Sequence, residues 1–166
     1  MVFGTKEGGK IVDQDSSGKA TIEFQSGSKY VGELKNGMAE GHGTMYFEDG
    51  RQLTGTFQKG KPQGRDIMLT FPDGRKYIGD YSDGKRHGYG RMLFPDGKKY
   101  EGQWKNDLPH GQGNLTHSDG SIEQGTWTRG RKIDPSTRES SGTNLNRILA
   151  LVVILLIVGL IIYYFR

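Results

Sequence analysis

Two hydrophobic patterns divide this chain. From Ile148 to Phe165 every residue except Gly159 is apolar. Upstream, large apolar side chains come singly and alternate with polar ones around glycines: Tyr30-x-Gly32-x-Leu34, Leu53-x-Gly55-x-Phe57, Tyr77-x-Gly79-x-Tyr81 and Tyr100-x-Gly102-x-Trp104. Alternation at period two predicts strands, each with two large side chains and the intervening glycine on one face. The central glycines keep a grid, since Gly9, Gly32, Gly55, Gly79, Gly102 and Gly125 follow one another at 23, 23, 24, 23 and 23 residues. A fixed spacing of this length marks a structural repeat.

Further signals lie inside each unit. Gly37, Gly60, Gly84 and Gly130 predict a chain bend, and Gly41, Gly64, Gly88 and Gly111 open a second strand. Asp49-Gly50, Asp73-Gly74, Asp96-Gly97 and Asp119-Gly120 then close the unit, and this dipeptide suits the positive φ angles of a tight hairpin turn. A hairpin of this size cannot bury its own apolar face, so the core must form between neighbouring units. The prediction is an all-β repeat solenoid, an elongated twisted antiparallel sheet of stacked hairpins. Residues 1–29 form a degenerate N-terminal repeat or cap, 30–132 four full units and a half unit, 133–147 a flexible linker and 148–165 a transmembrane α-helix. The second unit carries a one-residue insertion, and Asp66 replaces the glycine found at Gly43, Gly90 and Gly113, which predicts a β-bulge or altered turn.

Composition alone points elsewhere. Of 27 glycines, 26 precede the apolar tail, and so glycine-rich and apolar-poor a body would be classed as disordered. The grid overrides that reading. The absence of cysteine excludes disulfide frameworks, thiol nucleophiles and thiolate zinc sites. The net charge of +4 is spread among mixed charges, without the clustered basic face of a nucleic-acid binder.

The segments YIGDYSDGKRHGYGRMLFPDG from Tyr77 and YEGQWKNDLPHGQGNLTHSDG from Tyr100 resemble the MORN repeat, YxGxWxxGxxHGxGxxxxxDG, with Asp107 standing where the pattern has a glycine. The resemblance covers roughly residues 7–132. It implies a β-hairpin solenoid with an aromatic-lined groove, in a family of binding and scaffolding modules that often work at membranes. With the tail included, the layout is similar to a miniature junctophilin with a shorter spacer.

As a helix, residues 148–165 would span about 27 Å, enough to cross a thin bilayer. Tyr163 and Tyr164 suit an interfacial aromatic belt, and the basic residues Arg129, Arg131, Lys132, Arg138 and Arg147 upstream place the repeats in the cytosol. The first fifteen residues contain no apolar run of signal-peptide length, so the expected layout is that of a tail-anchored protein. The short span favours the endoplasmic reticulum, with the mitochondrial outer membrane or another organelle as the alternative.

Candidate chemistry is sparse. Gly55–Lys61 and Gly79–Lys85 read G-x-x-x-x-G-K, but Pro62 and Arg86 follow where a P-loop needs Ser or Thr opening a helix. His87 and His110 stand one unit apart, about 10 Å at ordinary strand spacing, too far to share one metal unaided. No catalytic residue, cofactor or metal is therefore assigned. The function expected is a non-enzymatic membrane-anchored scaffold that binds a protein partner through Tyr77, Tyr81, Tyr100, Trp104 and Trp127. Two alternatives stay open: a tether to acidic phospholipid of an apposed membrane, and homo-oligomerisation through the strand edge near Lys132.

Overall fold

The computed structural model describes residues 2–5 and 8–134. Most of the linker and the whole proposed span lie outside the described residues. Residues Met1–Lys132 form one compact unit, which among the described residues is an antiparallel sheet of thirteen strands with no α-helix. The strands are β1 (Gly9–Gln14), β2 (Lys19–Phe24), β3 (Lys29–Lys35), β4 (Met38–Tyr46), β5 (Gln52–Gln58), β6 (Lys61–Pro62), β7 (Gly64–Thr70), β8 (Lys76–Ser82), β9 (Lys85–Leu93), β10 (Lys99–Lys105), β11 (Leu108–Thr116), β12 (Ile122–Thr128) and β13 (Arg131–Lys132). They pair in chain order, except that the short β6 lies off the path and pairs β5. This is the predicted stack of hairpins, and β1–β2 is the degenerate first unit.

The alternation read from the sequence becomes a set of rows across the sheet. Gly32 pairs Gly43, Gly43 pairs Gly55, Gly79 pairs Gly90, Gly90 pairs Gly102, Gly102 pairs Gly113 and Gly113 pairs Gly125. A parallel row on the same face carries Tyr30, Met45, Leu53, Leu69, Tyr77, Met92 and Tyr100, all buried. The glycines exist for the tyrosines: a Cβ added at Gly43, Gly90 or Gly113 would land on the ring of Tyr30, Tyr77 or Tyr100 respectively.

The glycine row is interrupted once. Ile67 pairs Gly79 and is fully buried, and a Cβ on Gly55 would meet its Cγ1 at 2.7 Å. The extra side chain fits because this unit has Leu53 where the others have tyrosine. The predicted bulge is present, as a register shift between Gly64 and Ile67. Its detail differs from the expectation: the inserted residue pushes Asp66 out of the row into the bulge, at φ +55°, and Ile67 takes the row position.

The two kinds of turn exchange the roles expected of them. Positive φ at both central residues, the mark of the two-residue type I′ hairpin, occurs at the sites read as bends: Asn36-Gly37, Lys59-Gly60, Asp83-Gly84, Asn106-Asp107 and Arg129-Gly130. At the Asp-Gly sites only the glycine is left-handed, with Gly50, Gly74, Gly97 and Gly120 at φ +82° to +86°. These loops are wider, each beginning three residues before the glycine, as where Gly50 N–H donates to Phe47 O and Phe47 N–H to Arg51 O. The aspartate keeps ordinary φ and works through its carboxylate, which accepts the backbone N–H two residues on: Asp49 from Arg51, Asp73 from Arg75, Asp96 from Lys98 and Asp119 from Ser121, at 2.9–3.1 Å.

Candidate binding groove

The five aromatic residues expected to contact a partner all fall on the inner face, the one that carries the core. Tyr77, Tyr81, Tyr100, Trp104 and Trp127 are 0–8% exposed. They form an edge-to-face chain, with Tyr77 against Tyr81 and Trp104, and Tyr100 against Trp104 and Trp127, at centroid distances of 5.1–5.6 Å. Such contacts are worth about 0.5–1.5 kcal/mol each beyond area burial. Four of the five polar tips are satisfied by hydrogen bonds inside the protein. Tyr77 OH donates to Asp80 O and Tyr100 OH to Gln103 O at 3.0 Å, while Trp104 Nε1 donates to Gly90 O at 3.1 Å and Trp127 Nε1 to Gly113 O at 3.3 Å. These residues hold the units together.

The electrostatics agree with that division. Burial pushes the phenols of Tyr30, Tyr77 and Tyr81 well above the ordinary tyrosine value, and that of Tyr100 up to about 12. The turn carboxylates move the other way. The backbone N–H of Arg51, Arg75 and Lys98 holds Asp49, Asp73 and Asp96 below the usual carboxylate range, and the Ser121 hydroxyl does the same for Asp119. They are turn locks, as their spacing implied.

Beside the ring chain runs a second line of aromatic residues, Phe24, Phe47, Phe71 and Phe94, partly buried against the core. Each stands three residues before a turn glycine, a periodic signal legible in the sequence that the Tyr-x-Gly pattern overshadowed. Two cavities open along this line. One of about 530 Å³ is lined by Phe24, Met45 and Phe47 with Ser26 and Ser28. The other, of about 290 Å³, is lined by Phe47, Leu53, Leu69, Phe71 and Tyr81, with Arg51, Arg86 and Asp107 also on its wall. Between them lies Phe3, buried and edge-on to Phe24, Phe47 and Phe57. No periodicity announced this residue.

Arg86 and Asp107 form the polar element of the groove. Asp107 departs from glycine at a left-handed position, φ +70°. Arg86 offsets the strain: its backbone N–H and Nε donate to Asp107 Oδ1 at 3.0 and 3.3 Å, and its Nη2 donates to Asp107 O at 2.8 Å. The guanidinium lies 4.7 Å from the Trp104 ring centroid, in cation–π geometry. His87 and His110 border a separate surface cavity beside Tyr89 and Gln103. Among the described residues no group of three His, Asp or Glu side chains is placed to hold a metal.

No curated protein is detectably similar to this chain in sequence. Among solved structures, the TCP domain of Drosophila melanogaster SAS-4 (dCPAP), in complex with a proline-rich motif of Ana2 (dSTIL), is 16% identical with a TM-score of 0.42, over 66% of this chain and 60% of that one. A mutant TCP10 domain of Danio rerio CPAP is 19% identical with a TM-score of 0.32, over 69% of this chain and 65% of that one. This chain thus spans less than two thirds of the length of either. The MORN repeat family model matches residues 30–50, 77–99 and 100–122, which are three of the hairpins described above. Those three segments match the MORN repeat, and each carries a buried tyrosine and a pair of the glycine rows: Tyr30 with Gly32–Gly43, Tyr77 with Gly79–Gly90 and Tyr100 with Gly102–Gly113.

Proposed function

We propose that the protein is a non-enzymatic scaffold that presents the inner-face groove of its MORN repeats to a protein partner. One observation carries this reading: cavities lined largely by apolar side chains stay open along the phenylalanine line beside the buried ring chain, so the groove has apolar surface to offer. The apolar run 148–165 supports a membrane anchor, and the basic residues before it support a cytosolic position for the repeats, with the endoplasmic reticulum as the favoured membrane.

The test is capture by the full chain, compared between the two faces of the sheet. Phe71→Lys places a charge in the groove, whereas Gln52→Lys and Gln124→Lys alter exposed positions away from it. With folding checked by circular dichroism, Phe71→Lys is expected to lose at least about tenfold in partner recovery, the loss of one anchor of about 1.4 kcal/mol, and the other two to behave as wild type. The opposite pattern would discard the groove.

A further inference from the structure

The N-terminal segment shows what kind of ligand this groove accepts. Phe3 N–H donates to Gly60 O at 2.6 Å, Ala39 N–H donates to Phe3 O at 3.0 Å, and Thr5 N–H donates to Gly37 O at 2.8 Å. The Phe3 ring fills the space among Phe24, Phe47 and Phe57 at centroid distances of 6.0–6.2 Å. Residues 2–5 are, in effect, a peptide ligand bound in cis. The ring enters the apolar line, and backbone groups are read by the carbonyls of successive type I′ turns and by one strand N–H.

The repeat carries each of these groups forward by one unit. Phe24, Phe47 and Phe57 become Phe47, Phe71 and Tyr81; the acceptor Gly60 O becomes Gly84 O; the donor Ala39 becomes Pro62. All five of these shifted residues line the single cavity of about 290 Å³ that adjoins Phe3. One unit further on, the chain fills the equivalent place with its own side chains. Arg86 Nη2 donates to Asp107 O, the counterpart of Gly60 O. Asp107 Oδ1 accepts Arg86 N–H, the counterpart of Ala39 N–H, and the guanidinium covers Trp104, the counterpart of Phe57. Of these three equivalent places, Phe3 fills the first and the Arg86–Asp107 pair the third. Among the described residues, the middle one has no side chain inserted and Gly84 O accepts no such hydrogen bond.

We propose that this middle place is a docking site for an aromatic side chain on an extended peptide of the partner. The inference rests on the scaffold reading and names the chemistry of its ligand. The ring seats against Phe47, Phe71 and Tyr81, and the N–H of the same residue donates to Gly84 O. Pro62 has no N–H, so the ligand's carbonyl finds no donor of the kind that Ala39 supplies to Phe3. Recognition therefore depends on one ring and one N–H. The two cations on the wall, Arg51 and Arg86, are already paired with Asp49 and Asp107, so no acidic residue is required.

The probe is the chain's own bound segment made into a free ligand: capped Val-Phe-Gly-Thr with a photoreactive benzoyl group on the phenylalanine, irradiated with the full chain and mapped by mass spectrometry. Cross-links are expected within Leu69–Phe71 or Tyr81–Arg86. An excess of unmodified capped Val-Phe-Gly-Thr should suppress them and capped Val-Ala-Gly-Thr should not. N-methylation of the phenylalanine should weaken competition by about fivefold, the worth of one hydrogen bond. Cross-links confined to the outer face, cross-links at Phe24 or Phe57 through displacement of Phe3, or equal competition by the alanine peptide would each overturn the assignment. If it falls while partner capture still depends on Phe71, the scaffold reading survives without it; if both fail, both are removed.

Discussion

A methyl group at Gly90 would sit on the Tyr77 ring, which itself cannot move because its hydroxyl is bonded to Asp80 O and its edges meet Tyr81 and Trp104. Gly90→Ala is therefore expected to destabilise the protein by about 2–3 kcal/mol, the upper range for overpacking, measured as a shift in the urea midpoint. A cost below ~0.5 kcal/mol would mean that the ring is not fixed on the glycine. The same tyrosines set a pH limit. Folded-state values raised above the unfolded value of about 10 mean that the native state holds these protons more tightly, so the stability concerned is fully present below pH ~10 and is lost as pH rises beyond it. For Tyr100, at about 12 in the folded protein, the loss runs between those two values. Urea midpoints should be level up to pH ~9.5 and fall above ~10, and Tyr100→Phe should shallow the fall. A midpoint unchanged at pH ~11.5 would contradict the burial of the phenols.

At the level of the hairpin, the type I′ turn is where sequence choice and backbone geometry meet most tightly. Four of the five such turns have glycine in second place, and the fifth has Asp107 at φ +70°. Left-handed φ costs a residue with a Cβ about 1–2 kcal/mol, and here three hydrogen bonds with Arg86 offset that cost. Asp107→Ala keeps the strain and removes the side-chain bonds, whereas Asp107→Gly removes both. The alanine variant should thus be the less stable of the two by at least about 1 kcal/mol in chemical denaturation. Equal stability would show that the turn is not under strain. The same element explains a limit of the sequence reading: Asp-Gly is a strong hairpin signal by type, yet the number of residues between paired strands decides which turn takes both positive φ angles, two between Lys35 and Met38 against five between Tyr46 and Gln52.

For the whole molecule, a repeat whose units share one core makes stability a property of neighbours. Among the described residues, one buried cluster of fifteen draws on every unit, and Phe3 belongs to it although it precedes the first strand. Topology provides the test at this scale. The sequon Asn114-Leu115-Thr116 lies on β11, and Asn114 is exposed, so burial of its side chain does not protect it from glycosylation. If the repeats face the cytosol, the full chain made in cells should show no mobility shift on glycosidase treatment. A shift would place the repeats in the lumen and remove the proposed orientation.

Much of this was legible in one dimension, because strand alternation and the unit length are local properties repeated several times. The period of 23 residues, the strands, the tyrosines that meet each glycine row and the turn aspartates follow from the sequence. The candidate site was less legible. Sequence marked Trp104 and Tyr81 as large apolar residues on one face, but whether such a face is core or contact surface depends on what neighbouring units place over it, and here they bury it. The groove combines the periodic line of phenylalanines with features that do not repeat: Phe3, brought back along the chain, and the side-chain pairing of Arg86 with Asp107, which meet because successive turns stack. Repetition therefore let the sequence by itself determine the architecture. Which places along that architecture are filled, closed or open was decided by tertiary contacts between residues that no period relates.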